Sequence, residues 1–302
     1  KAAEAGQDCA QYALGKIYRD GQGVEKDIQK AVALFTLAAT KENSFAAFAL
    51  GKLYLAGDAA LPRDPAAALK WLTYAAELGN QFAQYRLGKL LLKGDDGIPK
   101  DVITAIRWLT AAAKQENGYA EYALALVYLT GEDAPKDSVK ALSLLKRSAG
   151  RGNQFAQYRL GKLLLQGEDA PKDVKAAIRW LTAAAEQGNQ YAQYALGKLY
   201  LLGKEVPKDR SSAIKWFQLA ADQGNEYAQY FLKHMDDRLG QPPVAAVISL
   251  FHHLANIFQE QNQPPPSGGV RVAVDRKLLR KIKAKKIAQG HKADDHEPEM
   301  QL

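Results

Sequence analysis

The stretch Gly79–Leu92, GNQFAQYRLGKLLL, recurs letter for letter at Gly152–Leu165. Its apolar residues, among them Ala83 and Leu87, follow helical spacing. Gly94, just beyond the stretch, stands where a helix commonly ends in a left-handed residue. The stretch therefore predicts one helix of a repeated unit.

The repeat is 36 or 37 residues long and is marked by two polar residues. An aspartate preceded by Lys or Arg occurs at Asp27, Asp64, Asp101, Asp137, Asp173 and Asp209, and an asparagine at Asn43, Asn80, Asn117, Asn153, Asn189 and Asn225. The aspartate suits an N-cap, because its carboxylate accepts bonds from N–H groups that the first turn leaves unsatisfied. Each unit thus contains a helix A and, from the aspartate, a helix B. Six full units run from about Cys9 to Gln223, and a seventh helix A spans Asn225 to Arg238.

Helix B carries one apolar stripe. Counted from the aspartate, position +4 is always alanine, +7 is tryptophan or leucine, and +8 is phenylalanine or leucine. We predict that the tryptophans at +7 pack in the core and are not platforms for stacking sugars or bases; they are Trp71, Trp108, Trp180 and Trp216. An aromatic series in helix A is also predicted to pack, with hydroxyls able to reach a surface: Tyr12, Phe48, Tyr85, Tyr122, Tyr158, Tyr194 and Tyr230.

A glycine recurs inside helix A, at Gly51, Gly88, Gly161 and Gly197. Each costs about 1 kcal/mol relative to alanine. A cost repeated so often predicts a compensating gain, and we expect close approach of a neighbouring helix. The fourth unit is atypical, with Ala125 at this place and Leu144 in place of the tryptophan.

One helical pair cannot bury its own stripe, whereas stacked pairs bury a continuous core. The sequence therefore predicts an all-α solenoid over residues 1–240, built from about six 36–37-residue helix-turn-helix repeats. Residues 241–262 are predicted to form a capping helix, 263–270 a Pro/Gly linker, and 271–302 a basic helical or disordered tail. The chain starts without methionine on the end of a repeat helix, so we expect a fragment of a longer protein whose open N-terminal end exposes apolar surface.

The unit, with its LGK, KD, W, AA and GN elements in phase, resembles the Sel-1-like repeat, a relative of the tetratricopeptide repeat. This resemblance implies a right-handed α/α superhelix that acts as a protein-interaction scaffold or adaptor, and it covers about residues 1–240. The tail, VDRKLLRKIKAKKIAQGHKADDHEPE, is similar to the C-terminal end of some mobilisation relaxases of bacterial conjugative elements. That second resemblance implies an alternative function, an accessory region behind a DNA-nicking domain.

Composition limits the classes of function. No apolar stretch approaches a membrane span, and no signal peptide is visible. The single cysteine, Cys9, excludes an internal disulfide framework and favours a reducing, cytoplasmic location. The relaxase resemblance implies that this cytoplasm is bacterial. The net charge of +8 equals the charge of the window Arg271–Lys292, which holds nine Lys or Arg residues and one acid.

No catalytic or cofactor-binding motif stands out. LGK is not a phosphate loop, because its glycine lies inside a helix and Leu or Ile follows the lysine. The recurrent aspartates indicate capping and not acid–base chemistry, since catalytic acids do not need six copies. His291 and His296 flank two aspartates, but nothing in so polar a tail fixes a metal geometry. We predict a non-enzymatic protein with no cofactor or metal.

A series of cations on helix A does not follow from packing. On the helical wheel these cations share a face, and in tetratricopeptide-like solenoids helix A lines the concave surface. The sequence therefore predicts a basic groove for an acidic protein or peptide or, less favoured, for a nucleic-acid backbone. The alternative is a solvated face that only confers solubility. The candidate groove residues are Lys16, Lys52, Arg86, Lys89, Lys93, Arg159, Lys162 and Lys198, with Leu126 interrupting the series.

The tail is the second candidate site. Its cations could track nucleic-acid phosphates, lie on an anionic membrane, dock an acidic partner, or remain solvated, and its thin apolar stripe favours none of these strongly. These residues are Arg276, Lys277, Arg280, Lys281, Lys283, Lys285 and Lys286.

The two identical stretches lie two repeat lengths apart. Packing explains the recurrence of Ala, Leu and Gly, but not of polar residues such as Gln84, Arg86 and Lys89, which recur as Gln157, Arg159 and Lys162. We expect these positions to be exposed, so their identity indicates duplication of a two-repeat block.

Overall fold

The computed structural model describes residues 7–94 and 97–234. Over these ranges the chain forms thirteen helices, with each packed on its neighbours in sequence. The A helices are α1 (Asp8–Asp20), α3 (Ser44–Ala56), α5 (Gln81–Lys93), α7 (Gly118–Thr130), α9 (Gln154–Gln166), α11 (Gln190–Leu202) and α13 (Glu226–His234). The B helices are α2 (Ile28–Ala39), α4 (Pro65–Glu77), α6 (Val102–Lys114), α8 (Ser138–Gly150), α10 (Val174–Glu186) and α12 (Arg210–Asp222). The predicted all-α solenoid of six helix pairs is confirmed.

Polar caps set the start of nearly every helix. Asp101 accepts a hydrogen bond from the backbone N–H of Thr104 at 3.0 Å, and the other five predicted aspartates cap their B helices in the same way. The asparagines do the same for the A helices; Asn117, for example, accepts from the N–H of Ala120 at 3.0 Å. The two recurring polar residues that mark the repeat are therefore its two N-caps.

The helical glycine permits close packing of helix A on helix B within one repeat, as predicted. A Cβ placed on Gly88 would lie 2.6 Å from Cγ of Leu109 and 3.1 Å from the carbonyl oxygen of Ala105. The same contact at 2.6 to 2.7 Å joins Gly15 to Phe35, Gly51 to Leu72, Gly161 to Leu181 and Gly197 to Phe217. Each of these partners occupies position +8 of helix B and is fully buried.

The tryptophans lie one residue before that buried position. Trp108 is buried, and Trp71, Trp180 and Trp216 are half-buried against the core, which confirms that they pack. The side chain at +8 is nevertheless the more deeply buried of the two in every repeat, and in five of the six it faces the glycine of helix A.

Ion pairs connect successive repeats along the edge formed by the A-to-B turns, which we call the AB edge. The lysine that precedes the capping aspartate reaches an acid in the next repeat, and the sequence pattern did not predict this role. The pairs are Lys26–Asp58 at 2.8 Å, Lys100–Asp133 at 2.6 Å, Lys136–Asp169 at 2.8 Å and Lys172–Glu205 at 2.8 Å. Because the lysines are about half exposed, each pair contributes little by itself.

Glutamines join repeats along the opposite edge, the BA edge. Gln84 donates to the carbonyl of Ala76 at 3.0 Å and accepts from Gln115 at 2.8 Å, so it bridges the ends of α4 and α6. Gln157 and Gln193 repeat this arrangement in the fifth and sixth repeats.

The assumption that Gln84 and Gln157 are exposed is wrong, since each is only 5% exposed. Hydrogen bonding accounts for their recurrence, because a buried amide needs its partners. The duplication of a two-repeat block is then supported only by the recurring polar residues that are not buried, such as Gln81 and Arg86.

The fourth repeat replaces this glutamine pair with ions. Glu121 is 0% exposed, and its two oxygens lie 2.7 Å from Nη2 of Arg147 and 3.3 Å from Nε of Arg151. Both arginines are therefore ion-paired with this buried carboxylate, and Glu121 contributes, after the hydrogen bond to Glu116, to the raised pKa of Arg151. Arg151 stands at the position of Gln115, and in the second repeat the same two positions hold Ala47 and Leu78. The positions equivalent to Gln84 and Gln115 therefore carry residues of the same kind as each other in these repeats, either two amides, an ion pair or two apolar residues.

The predicted seventh helix A is present as α13, Glu226–His234. The predicted capping helix 241–262, linker 263–270 and tail 271–302 lie outside the described residues, as do residues 1–6 at the predicted open end.

We expect Gly88→Ala to lower the melting temperature, although alanine favours a helix by about 1 kcal/mol. The added methyl must displace Leu109 or the Ala105 carbonyl, and such overpacking costs about 1–3 kcal/mol. Circular dichroism during heating measures the effect. Gly150→Ala is the control, since nothing lies within 4 Å of the added Cβ there. Equal behaviour of the two variants would contradict the close approach.

We expect the substitution Arg151→Gln to destabilise the wild-type protein more than it destabilises the Glu121→Gln variant. In the wild type it removes a partner of a buried carboxylate, whereas in the second background it completes a Gln–Gln pair like that of Gln84 and Gln115. The coupling should shift melting by about 2–4 °C. Strictly additive shifts in a double-mutant cycle would show that Arg151 and Glu121 do not interact.

Candidate functional site

Successive A helices touch one another through aromatic rings. Positions on helix A are counted here from its capping asparagine, or from Gln7 in the first repeat. The ring at A+5 of one repeat contacts the ring at A+2 of the next, with centroids 5.9 to 6.4 Å apart. The six contacts are Tyr12–Phe45, Phe48–Phe82, Tyr85–Tyr119, Tyr122–Phe155, Tyr158–Tyr191 and Tyr194–Tyr227. We call this series the aromatic ladder.

The two rows of the ladder differ in exposure. Burial raises the pKa of the A+5 tyrosines Tyr85, Tyr122 and Tyr158, which fits their predicted packing role. The A+2 rings Phe45, Phe82, Tyr119, Phe155 and Tyr191 are instead 37% to 55% exposed. The sequence analysis missed this second row, although an aromatic residue two places after each asparagine was the available signal. Exposed apolar rings of this kind form a stripe across the A helices.

The predicted groove cations lie beside this stripe, mostly at A+6 and A+9. We call the surface formed by A+2, A+5, A+6 and A+9 the A face. Lys16 lies 5.8 Å from the ring centre of Tyr12, and Lys52 lies 5.8 Å from that of Phe48. These two cations therefore contact the ladder directly, in cation–π geometry.

The third and fifth repeats each bring two cations together. The pKa of Lys89 is lowered by burial and then by the charges of Arg86 and Lys93. The pKa of Lys162 is lowered by burial and then by Arg159. In both repeats a neighbouring arginine contributes to the lowered pKa of the lysine, which marks a concentrated positive site.

The neighbouring repeats differ. The pKa of Lys198 in the sixth repeat is lowered by burial and then by Lys162 and Lys204, so this lysine lies near the fifth-repeat pair. The fourth repeat has Ala123 and Leu126 at A+6 and A+9 and breaks the cationic row, as its sequence indicated.

The two Arg–Lys pairs, Arg86 with Lys89 and Arg159 with Lys162, have no acidic partner among the described residues. Across 7–94 and 97–234, no carboxylate oxygen lies within 4.0 Å of their charged nitrogens. Asp169 feels the charge of Arg159, but its own partners are Lys136 and Ser138. The basic tail residues, Arg276 to Lys286, lie outside the described part of the chain.

Two other kinds of site were sought. In the ranges the structure describes, no group of three or more His, Cys, Asp or Glu side chains is placed to hold a metal. No described helix has the length and apolar character needed to cross a bilayer.

Comparison with known families gives a match to the Sel1 repeat. The match covers six consecutive units, at residues 10–43, 44–80, 81–117, 118–153, 154–189 and 190–225. The chain belongs to the Sel1 repeat family. It is therefore a Sel1 repeat scaffold, of a family that generally mediates protein interaction.

Two solved Sel1-type structures are similar over most of this chain. One is a protective antigen present in uropathogenic Escherichia coli strains, with 35% identity and a TM-score of 0.70 over 80% of this chain and 51% of that one. The other is a Sel1 repeat protein from Oxalobacter formigenes, with 34% identity and a TM-score of 0.71 over 78% of this chain and 67% of that one. The chain thus spans about half the length of the E. coli protein.

A comparison with curated proteins finds no match. The relaxase resemblance of the tail gains no support from these comparisons and stays a prediction.

We expect Arg86→Ala to raise the pKa of Lys89, because it removes a nearby like charge. The pKa should remain below the usual value for lysine, since burial is the larger cause of its depression. An NMR titration of labelled lysine side chains measures this change. Arg107→Ala, on the B helix α6, serves as the control and should leave the Lys89 titration unchanged. An unaltered titration in Arg86→Ala would show that the two cations are not close.

Proposed function

We propose that this Sel1 repeat solenoid is a non-enzymatic scaffold whose A face binds an acidic segment of another protein. The observation that carries the proposal is the pair of partnerless Arg–Lys sites beside an exposed aromatic ladder. Each feature supplies one part of a protein interface, namely charge recognition and apolar contact.

The charge favours an anionic ligand. A carboxylate bound between Arg86 and Lys89 would relieve their mutual repulsion, and charge-assisted hydrogen bonds are the stronger kind. Lys89 is half-buried, whereas the equivalent Lys162 is exposed, so desolvation strengthens the third-repeat site in particular. The partial desolvation makes the repulsion stronger and a bound anion more favourable.

The ladder favours a polypeptide. Aromatic residues and Arg are enriched at the centres of protein interfaces, and an aromatic ring buries a large area with few rotatable bonds. The exposed A+2 rings, such as Phe82 and Tyr119, offer such contacts beside the cations.

We expect a fluorescein-labelled peptide that carries glutamates and phenylalanines to bind the protein, and a peptide with lysine in place of each glutamate not to bind. Lys89→Glu with Lys162→Glu should weaken binding at least about ten-fold, because each site then repels the ligand. Fluorescence anisotropy at low and moderate salt measures the affinity, which should fall as salt rises.

Lys114→Glu with Lys146→Glu is the matched control, because it makes the same change in net charge at exposed lysines of the B helices α6 and α8. Equal weakening in this control would mean that net charge alone drives binding. Unchanged affinity in the first variant would remove the A face as the site.

A further inference from the structure

The two Arg–Lys sites have the same arrangement. One lies in the third repeat and the other in the fifth, with the fourth repeat between them. Among the A helices α1 to α11, arginine occupies A+6 only at Arg86 and Arg159, and alanine fills that position in the others. In both repeats a lysine follows at A+9, so the two sites present the same groups on α5 and α9.

Both arginines share one further feature. Their Nε atoms are buried and have no hydrogen-bond partner among the residues that the structure describes. Buried polar groups are normally hydrogen-bonded, so at both places the guanidinium group keeps unused donor capacity, and a bound carboxylate would meet part of it through the terminal nitrogens.

The surface between the two sites is apolar and continuous. The fourth repeat offers Ala123 and Leu126 where its neighbours offer cations. The aromatic ladder nevertheless runs through it, from Tyr85–Tyr119 to Tyr122–Phe155. A ligand that spans both sites therefore meets charge, then apolar surface, then charge again.

The separation of the sites follows from helix packing. Successive A helices meet chiefly through their rings and not through close backbone contacts, so their spacing is at the upper end of the usual range of about 8–10 Å, and α5 and α9, two steps apart, are separated by about 20 Å. An extended chain rises about 3.3 Å per residue and covers that distance in about six residues.

We infer that the partner of the A face is an extended peptide segment with two acidic clusters about six residues apart, joined by apolar or aromatic residues. One cluster binds Arg86 and Lys89, and the other binds Arg159 and Lys162. This inference rests on the proposed function and specifies its ligand.

The interrupted charge favours a peptide over single-stranded nucleic acid. A nucleic acid carries a phosphate at every nucleotide and matches a continuous row of cations, together with stacking rings. A peptide can omit charge where it crosses Ala123 and Leu126.

The test uses labelled peptides with two Glu-Glu clusters and spacers of increasing length, built from Ser and Gly around one Phe. Linking two weak sites raises affinity most when the linker matches their distance. We expect the affinity to be greatest at a spacer of about six residues, and at least about ten-fold above that of a one-cluster peptide. An optimum near twelve residues would indicate a helical ligand and overturn the extended conformation.

Two variants make the test specific. Arg159→Ala with Lys162→Ala should reduce the two-cluster peptide to the affinity of the one-cluster peptide. Ala123→Arg with Leu126→Lys adds a site in the fourth repeat and should move the optimum to about three residues. Circular dichroism verifies that both variants fold. The control variant, Lys114→Ala with Lys146→Ala, should leave the optimum spacer length unchanged.

The outcomes separate this inference from the proposed function. If acidic peptides bind through Lys89 and Lys162 but spacing has no effect, the two-site inference fails and the proposed function stands. If no acidic peptide binds, both fail. Tighter binding of single-stranded DNA than of any peptide in the series would also overturn the inference.

Discussion

The close approach of helix A and helix B at the helical glycine is the constraint on which the solenoid depends. At Gly88 the space that a methyl group would fill is occupied by Leu109, and four other repeats use the same contact. The contact buries the +8 side chain completely and holds the two helices of a repeat together. Once that side of helix A is committed to helix B, its other side is left to form the A face. The surface that we assign to partner binding is therefore a consequence of how the core is packed.

Much of the fold could be predicted because the constraints repeat at a fixed interval. Six aspartates in phase indicate a cap, and a glycine that recurs within a helix indicates contact, so the helices, their starts and the A-helix glycine were all accessible. The ion-pair partners of Lys26 and Lys100 were not, because a period shows which positions are equivalent but not which residues of adjacent repeats meet. Gln84 was misplaced for a related reason. A polar residue in an amphipathic pattern is expected to face water, and only its partners Ala76 and Gln115 show why it is buried.

The candidate site was predictable in part. The cations Arg86, Lys89, Arg159 and Lys162 stood out because packing did not require them, and the structure brings each Arg–Lys pair together on one helix face. The exposed ring at A+2, such as Phe82 or Tyr119, was overlooked because an aromatic residue in a repeat is first taken as core. An A+5 ring packs against the next repeat and an A+2 ring against the preceding one, and composition and spacing do not show which of the two stays exposed.

The two edges of the solenoid are fastened by different chemistry. Along the AB edge the repeats are joined by exposed ion pairs such as Lys136–Asp169, whereas along the BA edge they are joined by hydrogen bonds of buried amides such as that from Gln157 to the carbonyl of Ala149. Dissolved ions screen the first kind strongly and the second hardly at all. Rising ionic strength therefore weakens the contacts along the AB edge more than it weakens the glutamine contacts along the BA edge.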